Sequence, residues 1–480
     1  MGLKLRLRDA RPAFAGLLLL GLSALATPAR AVPSFARQTG MACSACHTVF
    51  PELTPFGREF KLNGYVLDNL RQIKGETMER RETLSLNAIP PLSVMAQISY
   101  SHTGAPLPDS SVSGALAKDG DLLFPDQLSF FYAGKIANDL GAFVQATYDG
   151  AADHFALDNT DIRYARYLMA AEPAEPDTSS GQPRTFAQRH DLLFGVTLNN
   201  NPTVQDVWNT TQAWGFPFAS SSVVPTPVAS SKLDSGAGSL AQQVAGLGAY
   251  LWFDHALYAE ISAYTEAKPG GAHPLDSTQS EVLNGLSPYW RVGYEYRWDR
   301  NSFFLGTYGL QASVYPGNGY ALQGPTDKYT DVAADAQYQF IGDDHLVTVM
   351  TTYIHEDQRL DASFPLELAA NVRDSLNTTK ASLEYYYRRT IGGTVALFST
   401  NGSADPLLYP NDGSVNGSLT AVPDSRGYIV ELDYVPFLNT KISMQYTDYT
   451  RFDGGTSDYN GAGRSASDNN TLYVLLWVSF

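Results

Sequence analysis

The sequence Tyr289-Trp-Arg-Val-Gly-Tyr-Glu-Tyr-Arg-Trp298 alternates between apolar and charged residues with a period of two. In an extended strand, aromatic and aliphatic side chains would therefore share one face and charged side chains the other. The apolar face would hold Val292, Tyr294, Tyr296 and Trp298, and the charged face Arg291, Glu295 and Arg297. Apolar residues outside and charges inside are typical of a β-barrel in lipid with a polar lumen. A soluble β-sandwich could give the same alternation with its apolar face turned inward.

Similar segments of about ten residues recur from Leu92 to the end of the chain. We count sixteen, near 92–102, 126–137, 140–149, 160–170, 188–198, 244–254, 255–264, 289–299, 302–314, 329–340, 345–356, 378–389, 393–400, 426–435, 440–451 and 470–480. An even number of strands is the rule for bacterial outer-membrane barrels. The sequence therefore predicts an all-β fold, a 16-stranded antiparallel transmembrane β-barrel of the porin type over residues 89–480.

The connections between these segments alternate in length. Short ones fall at 137–139, 254–255, 299–301, 341–344, 391–392 and 437–439, and long ones at 199–243, 265–288, 357–377, 401–425 and 452–469. Bacterial barrels have short periplasmic turns and long external loops, so we expect the long connections outside the cell. The connection 171–187 departs from this pattern, since its place in the series calls for a short turn.

Both ends of the chain carry features of an exported outer-membrane protein. A basic start, an apolar run from Phe14 to Ala26 and the small residues at Ala29 and Ala31 predict a signal peptide over residues 1–31. The last segment alternates up to Phe480, which resembles the signal by which outer-membrane proteins are recognised for insertion. We therefore expect the bacterial cell outer membrane as the location, with outer-membrane lipid as the barrel's surroundings.

The charge of the chain excludes one class of partner. The formal net charge is −16, and the predicted signal peptide holds five Lys/Arg and one Asp, so the remainder carries −20. An acidic surface repels phosphate backbones, and we expect no nucleic-acid partner. Aromatic residues make up 12% of the sequence, which agrees with a barrel that needs aromatic girdles at the membrane interfaces.

Ahead of the barrel lies Met41-Ala-Cys-Ser-Ala-Cys-His47, which contains the C-x-x-C-H signature of c-type haem attachment. Cys43 and Cys46 would form thioether bonds to the cofactor, and His47 would be the axial ligand of the haem iron. A structural zinc site is the first alternative, but the chain has only these two cysteines. A redox-active dithiol is the second, but no βαβ pattern surrounds the motif. The prediction is a single covalent haem c.

The residues around this motif predict a small haem module with a linker, over residues 32–88. A short helix is predicted over 56–62. Thr54 would be its N-cap, Pro55 would occupy the first helical position, and Gly64 would end it. Aromatic side chains nearby can cover the porphyrin, namely Phe50, Phe56, Phe60 and Tyr65. The polar stretch Lys74–Arg81 is predicted to be the linker.

The distal ligand of the haem iron stays open. The candidates are Met41, Met78, Met95, Met169, Met350, Met444 and seven histidines including His102 and His154. Met41 is discounted because it lies two residues before Cys43. Met78 in the linker is the local choice, and Met95 and His102 become comparable if the module folds into the lumen.

Two further groups of charged residues have competing interpretations. Asp149, Asp153, His154, Asp158 and Asp161 form either an Fe(II) site or, as we favour, a solvated acidic loop. A second set on the predicted lumen face suggests a structural network of salt bridges rather than a relay. Its members are Arg291, Glu295, Arg297, Asp335, Lys380, Glu384, Arg388, Glu431 and Asp433.

The chain resembles the outer-membrane monohaem c-type cytochrome–porin fusions that oxidise ferrous iron. The resemblance is carried by Val32–Gly40, by Cys43–His47 and by Pro51–Tyr65, a run of about 34 residues. The barrel matches in architecture with weaker motifs, of which Gly195–Asn209 is one that also recurs in haem-barrel relatives. The resemblance implies an electron conduit, in which electrons from a donor outside the cell pass through one haem to a periplasmic carrier.

The function expected from these features is oxidation of extracellular Fe(II), with a periplasmic c-type cytochrome or another carrier as acceptor. Such a protein has no catalytic side chain in the ordinary sense, although it would act as an Fe(II):cytochrome c oxidoreductase. A conduit with another donor, or with electrons flowing outward, is the first alternative. A solute porin whose haem module is a plug is the second, and a soluble cytochrome fused to a β-sandwich is the weakest.

Overall fold

A computed structural model describes most of the chain. It covers residues 34–67, 87–107, 120–169, 191–202, 206–211, 213–236, 238–266, 281–316 and 322–480, and the backbone of 72–74, 77–78, 81–82 and 85–86. The predicted signal peptide 1–31 and the connection 171–187 lie outside these ranges. Within the described part of the chain, no helix is both long and apolar enough to span a bilayer.

The described residues form a closed antiparallel barrel of sixteen strands, in which each strand pairs with its neighbours in the sequence and the last pairs with the first. The strands are β1 Leu92–Thr103, β2 Leu122–Ala137, β3 Leu140–Asp149, β4 His154–Met169, β5 Leu192–Asn199, β6 Val244–Phe253, β7 Leu257–Glu266, β8 Ser287–Trp298, β9 Asn301–Val314, β10 Asp327–Ile341, β11 His345–Arg359, β12 Arg373–Tyr387, β13 Ile391–Gly402, β14 Ser425–Phe437, β15 Thr440–Arg451 and β16 Thr471–Ser479. The sixteen predicted segments are confirmed, and the β-sandwich is excluded because the sheet closes on itself.

The two faces of the strands have opposite chemistry, as β8 shows. Tyr294 and Tyr296 on its outer face are 52% and 55% exposed, whereas Arg291 and Glu295 on its inner face are each 1% exposed. Exposed Leu, Val, Ile, Tyr and Trp side chains recur on the outer face of the other strands. Because a closed barrel satisfies its backbone hydrogen bonds internally, this apolar outer surface is stable in lipid. The molecule is an integral barrel of the bacterial outer membrane.

One predicted turn is displaced. The sequence suggested a turn at Ile391-Gly392 and placed Arg388 on the lumen face, but β12 ends at Tyr387 and β13 begins at Ile391. Arg388 and Arg389 occupy the turn, both with positive φ (51° and 54°). Arg388 is therefore exposed at the end of the barrel rather than inside it, where it forms a salt bridge with Asp344 (2.8 Å).

The N-terminal segment folds inside the barrel at the end that carries the short turns. Its helices are α1 Ser34–Thr39, α2 Cys43–Cys46 and α3 Pro55–Leu62. We call residues 34–67 the plug. Between the plug and β1, Gln72–Lys74 pairs with Ser85–Asn87 and Thr77–Met78 pairs with Arg81–Glu82, so the predicted linker contains short antiparallel pairings. In bacterial barrels the short-turn end faces the periplasm.

The connection between β5 and β6 does not extend outward as predicted. Its described residues 206–211 and 213–236 fold into the lumen, and we call them the inner loop. The inner loop is held at many points of the wall, for example by Gln445 Nε2 donating to the carbonyl of Ala219 (3.0 Å) and by the amide of Leu233 donating to Asp331 (2.9 Å).

Near the long-loop end, a short 3₁₀ helix over Ala466–Asn469 precedes β16.

Candidate haem site

A cavity of about 1270 Å³, counting its open mouth, lies between the plug, the barrel wall and the inner loop. Clefts that hold cofactors are mostly apolar. The plug contributes aromatic, aliphatic and sulfur-containing side chains to the lining, including Phe35, Met41, Cys43, Cys46, His47, Phe50, Phe60 and Tyr65. The barrel wall contributes Phe131 and Phe143, and the inner loop Asn209 and Trp214. The shape and lining of the cavity suit a flat, largely apolar cofactor.

Both cysteines and the histidine of the motif line this one cavity. The single turn of α2 carries Cys43 and Cys46, and the amide of His47 closes the turn by donating to the carbonyl of Cys43 (2.8 Å). The Nδ1 atom of His47 lies 3.2 Å from the carbonyl oxygens of both Pro51 and Glu52. Such contacts hold the proton on Nδ1 and leave Nε2 to bind a metal, as in most histidine ligands.

The ionisation of the motif argues against a redox-active dithiol. Burial raises the pKa of the Cys46 thiol to about 11 and also raises that of Cys43, so both are neutral thiols at pH 7. Redox-active dithiols have depressed pKa values instead. Burial lowers the pKa of His47, which keeps the imidazole neutral and able to bind iron. Lys61 also lines the cavity, and burial lowers its pKa to about 8.

The helix α3 is built as the sequence predicted and supports the motif from behind. Thr54 caps it by accepting from the amide of Gly57 (3.1 Å), and Gly64 follows it with a φ of +68°. At Gly57, an added Cβ would lie 2.1 Å from the carbonyl oxygen of Cys46. Only glycine therefore allows α3 to pack this closely against α2. Thr54 also bonds to the carbonyl of Ala45 (2.7 Å), which ties the two helices together.

One arginine anchors the plug to the barrel. Arg58 is 1% exposed and forms a salt bridge to Glu295 on β8 (2.6 Å). It also donates to the side-chain oxygens of Gln337 (3.1 Å) and Gln339 on β10 (2.6 Å). Several buried, charge-assisted hydrogen bonds from one guanidinium fix both the position and the orientation of the plug in the barrel.

Glu295 also connects the other two parts of the site. Its carboxylate accepts from Trp208 Nε1 on the inner loop (2.8 Å) and from Arg297 on its own strand (2.7 Å). Trp208 stacks on Phe304 of β9, with ring centroids 3.8 Å apart. Plug, wall and inner loop therefore meet at a single buried carboxylate.

A second polar contact fixes α3 to a periplasmic turn. The imidazole of His255, in the turn between β6 and β7, lies 3.2 Å from Glu59 and 3.2 Å from Asp191. The interaction with Glu59 raises the pKa of His255. Burial opposes ionisation of Glu59, but His255 and Arg297 outweigh it and lower the pKa of this carboxyl group.

This contact predicts that docking of the plug depends on pH. Because the pKa of His255 is higher in the docked state, its stabilisation is complete below the ordinary histidine pKa of about 6.5 and is lost as pH rises through the raised value. We expect protection of the α3 amides in hydrogen exchange to decrease over this range. In His255→Gln the decrease should disappear; an unchanged pH dependence in that variant would contradict the assignment.

The inner loop forms the roof of the cavity on the side of the long loops. The Trp214 ring stacks against Trp477 (5.9 Å between centroids) and Phe131 (6.3 Å), and Phe50 meets it edge-on at 6.0 Å. Phe50 in turn lies 5.3 Å from the ring of His47. An aromatic path therefore leads from the inner loop to the predicted iron ligand. The sequence analysis predicts Phe50 near the haem but not Trp214, because it places this loop outside the barrel.

The structure narrows the choice of distal ligand. Met41, which the sequence analysis discounted as a ligand, lines the cavity. Met95 is buried in the neighbouring hydrophobic cluster with Phe131 and Trp477, without lining the cavity. His102, Met169 and Met444 lie on exposed faces of their strands. The side chain of Met78 is outside the described residues.

The acidic cluster predicted in one external loop does not assemble a metal site. Asp149 accepts from the amides of Ala151 and Ala152, and Asp161 forms a salt bridge with Arg163 on the same strand. Within the described ranges, no three His, Cys, Asp or Glu side chains converge as ligands for a metal ion. The solvated acidic loop that we favoured is wrong for Asp158 and Asp161, because both lie on β4 and Asp161 is fully buried there.

Most of the lumen charges form the predicted network of salt bridges, but Arg388 lies outside the lumen and Glu384 faces another carboxylate, that of Glu52 in the plug. Arg291 pairs with Asp335 and lies 3.3 Å from Asp206 of the inner loop. Lys441 pairs with Glu431 (2.9 Å) and lies 3.5 Å from Asp433. Other members of the network bond to the plug or to the inner loop: Glu295 to Arg58, Arg297 to Glu59 and Lys380 to Asp234.

No protein-family model and no curated protein matches the chain. Solved structures of similar fold include the outer membrane protein OmpT of Vibrio cholerae (7% identity, TM-score 0.40, 81% of this chain and 96% of that chain). The channel DcaP of Acinetobacter baumannii (10%, 0.42, 81% and 96%) and OmpF of Salmonella typhi (12%, 0.40, 81% and 97%) are others. The assignment of the fold rests on the strand pairing described above.

Proposed function

We propose that this protein is an outer-membrane electron conduit that binds one haem c covalently through Cys43 and Cys46, with His47 as an axial ligand. The observation that carries the proposal is the convergence of all three side chains on a single apolar cavity, with Nδ1 of His47 held by backbone carbonyls. When bound, a haem c supplies one-electron chemistry at its iron.

The residues of this chain would place that chemistry between two compartments. The plug lies at the short-turn end, which opens to the periplasm, and the inner loop closes the cavity on the opposite side. Apolar side chains exclude water from the cavity, and low polarity around a haem is one of the factors that set its potential. No side chain has to transfer a proton or form a bond to a substrate.

As donor we propose Fe(II) outside the cell, as the resemblance implies. Each Fe(II) would lose one electron to become Fe(III), and a periplasmic carrier, such as a soluble c-type cytochrome, would gain that electron. The hydrocarbon core of the membrane, about 30 Å thick, separates the external donor from the periplasmic carrier. A redox group within the lumen shortens the electron-transfer distance to each of them. A reductant whose oxidised form precipitates would then stay outside.

The occupied lumen argues against the solute porin as the main function. Plug and inner loop fill the interior and form buried ion pairs with the wall, among them Arg58–Glu295 and Asp206–Arg291, each at most 2% exposed at its side chains. A solute would have to displace these contacts. We therefore expect low ion conductance from the intact protein in planar bilayers.

The test of the proposal is anaerobic addition of Fe(II) to the purified holo-protein, expressed in cells with c-type maturation and followed in the haem absorption bands. Reduction within seconds is the expected result. Reduction by dithionite but not by Fe(II) would leave the conduit in place and exclude iron as donor. A protein without haem bands, with high conductance instead, would overturn the proposal in favour of a solute porin.

A further inference from the structure

The turn between β12 and β13 has an unusual sequence for its backbone. Arg388 and Arg389 both adopt left-handed conformations, with φ of 51° and 54°. Such positions favour Gly, Asn and Asp, and His is also enriched there, whereas long unbranched side chains are disfavoured. Three other short turns have positive-φ positions and follow this preference, with Asp139, Asp254, His255 and Asp299 there. Backbone strain of this kind, once observed, suggests a function for the residues that carry it.

The two arginines differ in what they contact. Arg388 is bonded to Asp344 and its guanidinium lies over the exposed ring of Tyr387 (5.2 Å), so its role is structural. Arg389 turns toward the plug and lines a small recess with Cys43 and Ser44. It makes no salt bridge with any described residue, and its buried Nε has no hydrogen-bond partner in the described structure. A charged group with an unsatisfied donor beside the motif points to a ligand from outside.

A second arginine lies beside the larger cavity, which shares Cys43 with this recess. Arg37 is exposed on α1, next to Ala36, which lines the cavity. It donates to the backbone carbonyl of Leu92 and forms no salt bridge with a described residue. The exposed apolar side chain of Leu438 borders the recess of Arg389. We call Arg37, Arg389 and Leu438 the rim.

We propose that the rim is the docking site of an acidic soluble electron carrier of the periplasm; this rests on the proposed function. The chain as a whole carries −16, so an acidic partner is repelled from most of its surface and attracted where positive charge is uncompensated. Complementary charge speeds encounter and selects the orientation of the partner. A carrier docked here would lie beside Cys43, at the edge of the cavity, and would take one electron from the reduced holo-protein.

The experiment compares two forms of one probe, a basic soluble cytochrome c and the same protein made acidic by succinylation of its lysines. Binding to the holo-protein is measured at low and high salt, and so is the rate of electron transfer after dithionite reduction. We expect at least tenfold tighter binding of the succinylated form, and we expect this preference to vanish at high salt. Arg37→Glu combined with Arg389→Glu should abolish the preference for the succinylated form. Arg426→Glu, a charge reversal at the opposite end of β14, should leave the preference intact.

Each outcome separates this inference from the proposed function. Equal binding of the two forms, or an unchanged preference in the double variant, would overturn the docking site. A double variant that loses only affinity for vesicles containing anionic phospholipid would assign Arg389 to the lipid interface and also overturn it. Preferential binding without electron transfer would support the rim and contradict the conduit. The haem content and barrel assembly of each variant exclude misfolding.

Discussion

Replacing Arg58 by leucine is expected to destabilise docking of the plug by about 3–5 kcal/mol and to open the lumen. The substitution leaves the carboxylate of Glu295 buried without its main partner, and Gln337 and Gln339 lose the donor that they share. The cost of an uncompensated buried charge exceeds what packing of the leucine side chain returns. We expect lower resistance to chemical denaturation and a large increase in ion conductance in planar bilayers.

Arg388→Leu provides the matched control for this prediction. Arg388 lies at the same end of the barrel and also forms a salt bridge, but both it and Asp344 are exposed to solvent. Because exposed ion pairs contribute little, neither stability nor conductance should change measurably. Equal effects of the two substitutions would mean that Arg58 is not the anchor, and unchanged conductance in Arg58→Leu would mean that the inner loop alone closes the lumen.

The fold could be predicted from the sequence because a barrel in lipid imposes one simple rule on every strand. Alternation such as Tyr294 and Tyr296 against Arg291 and Glu295 repeats wherever a strand separates lipid from lumen. A turn with positive φ angles is normally recognised in a sequence by its Gly, Asn or Asp residues. The turn at Arg388 and Arg389 has none of these, so the sequence analysis places both arginines in a strand. The capping residues of α3 were readable for the same local reason, since Thr54, Pro55 and Gly64 act within one helix.

The contacts that build the site are long-range and left little trace in the pattern. Arg58 lies 237 positions before its partner Glu295, and nothing in the local sequence of either identifies the other. The inner loop contains Trp208, Trp214 and Phe218, and this aromatic content was the one signal in the sequence that could have indicated a place inside the lumen. Met41 was discounted on sequence distance alone, whereas the fold brings it to the wall of the cavity.

Replacing Cys43 and Cys46 together by alanine is expected to abolish covalent haem attachment, because no other described cysteine can form a thioether. Haem staining on denaturing gels should disappear, and Fe(II) should no longer produce a change in the haem bands. The barrel should still assemble, since its strand pairing does not involve the plug. Ser44→Ala, between the two cysteines, is the control and should retain the haem.

The same variant separates the role of the cofactor from that of the anchor. Arg58 and Glu59 hold α3 through side chains that do not depend on haem, so the plug without haem should remain docked at its α3 end. The segment around α2 should lose protection in hydrogen exchange, because it buries apolar side chains mainly against the cavity and a small module draws stability from its cofactor. High conductance in the cysteine variant would mean instead that the haem, rather than Arg58, keeps the lumen closed.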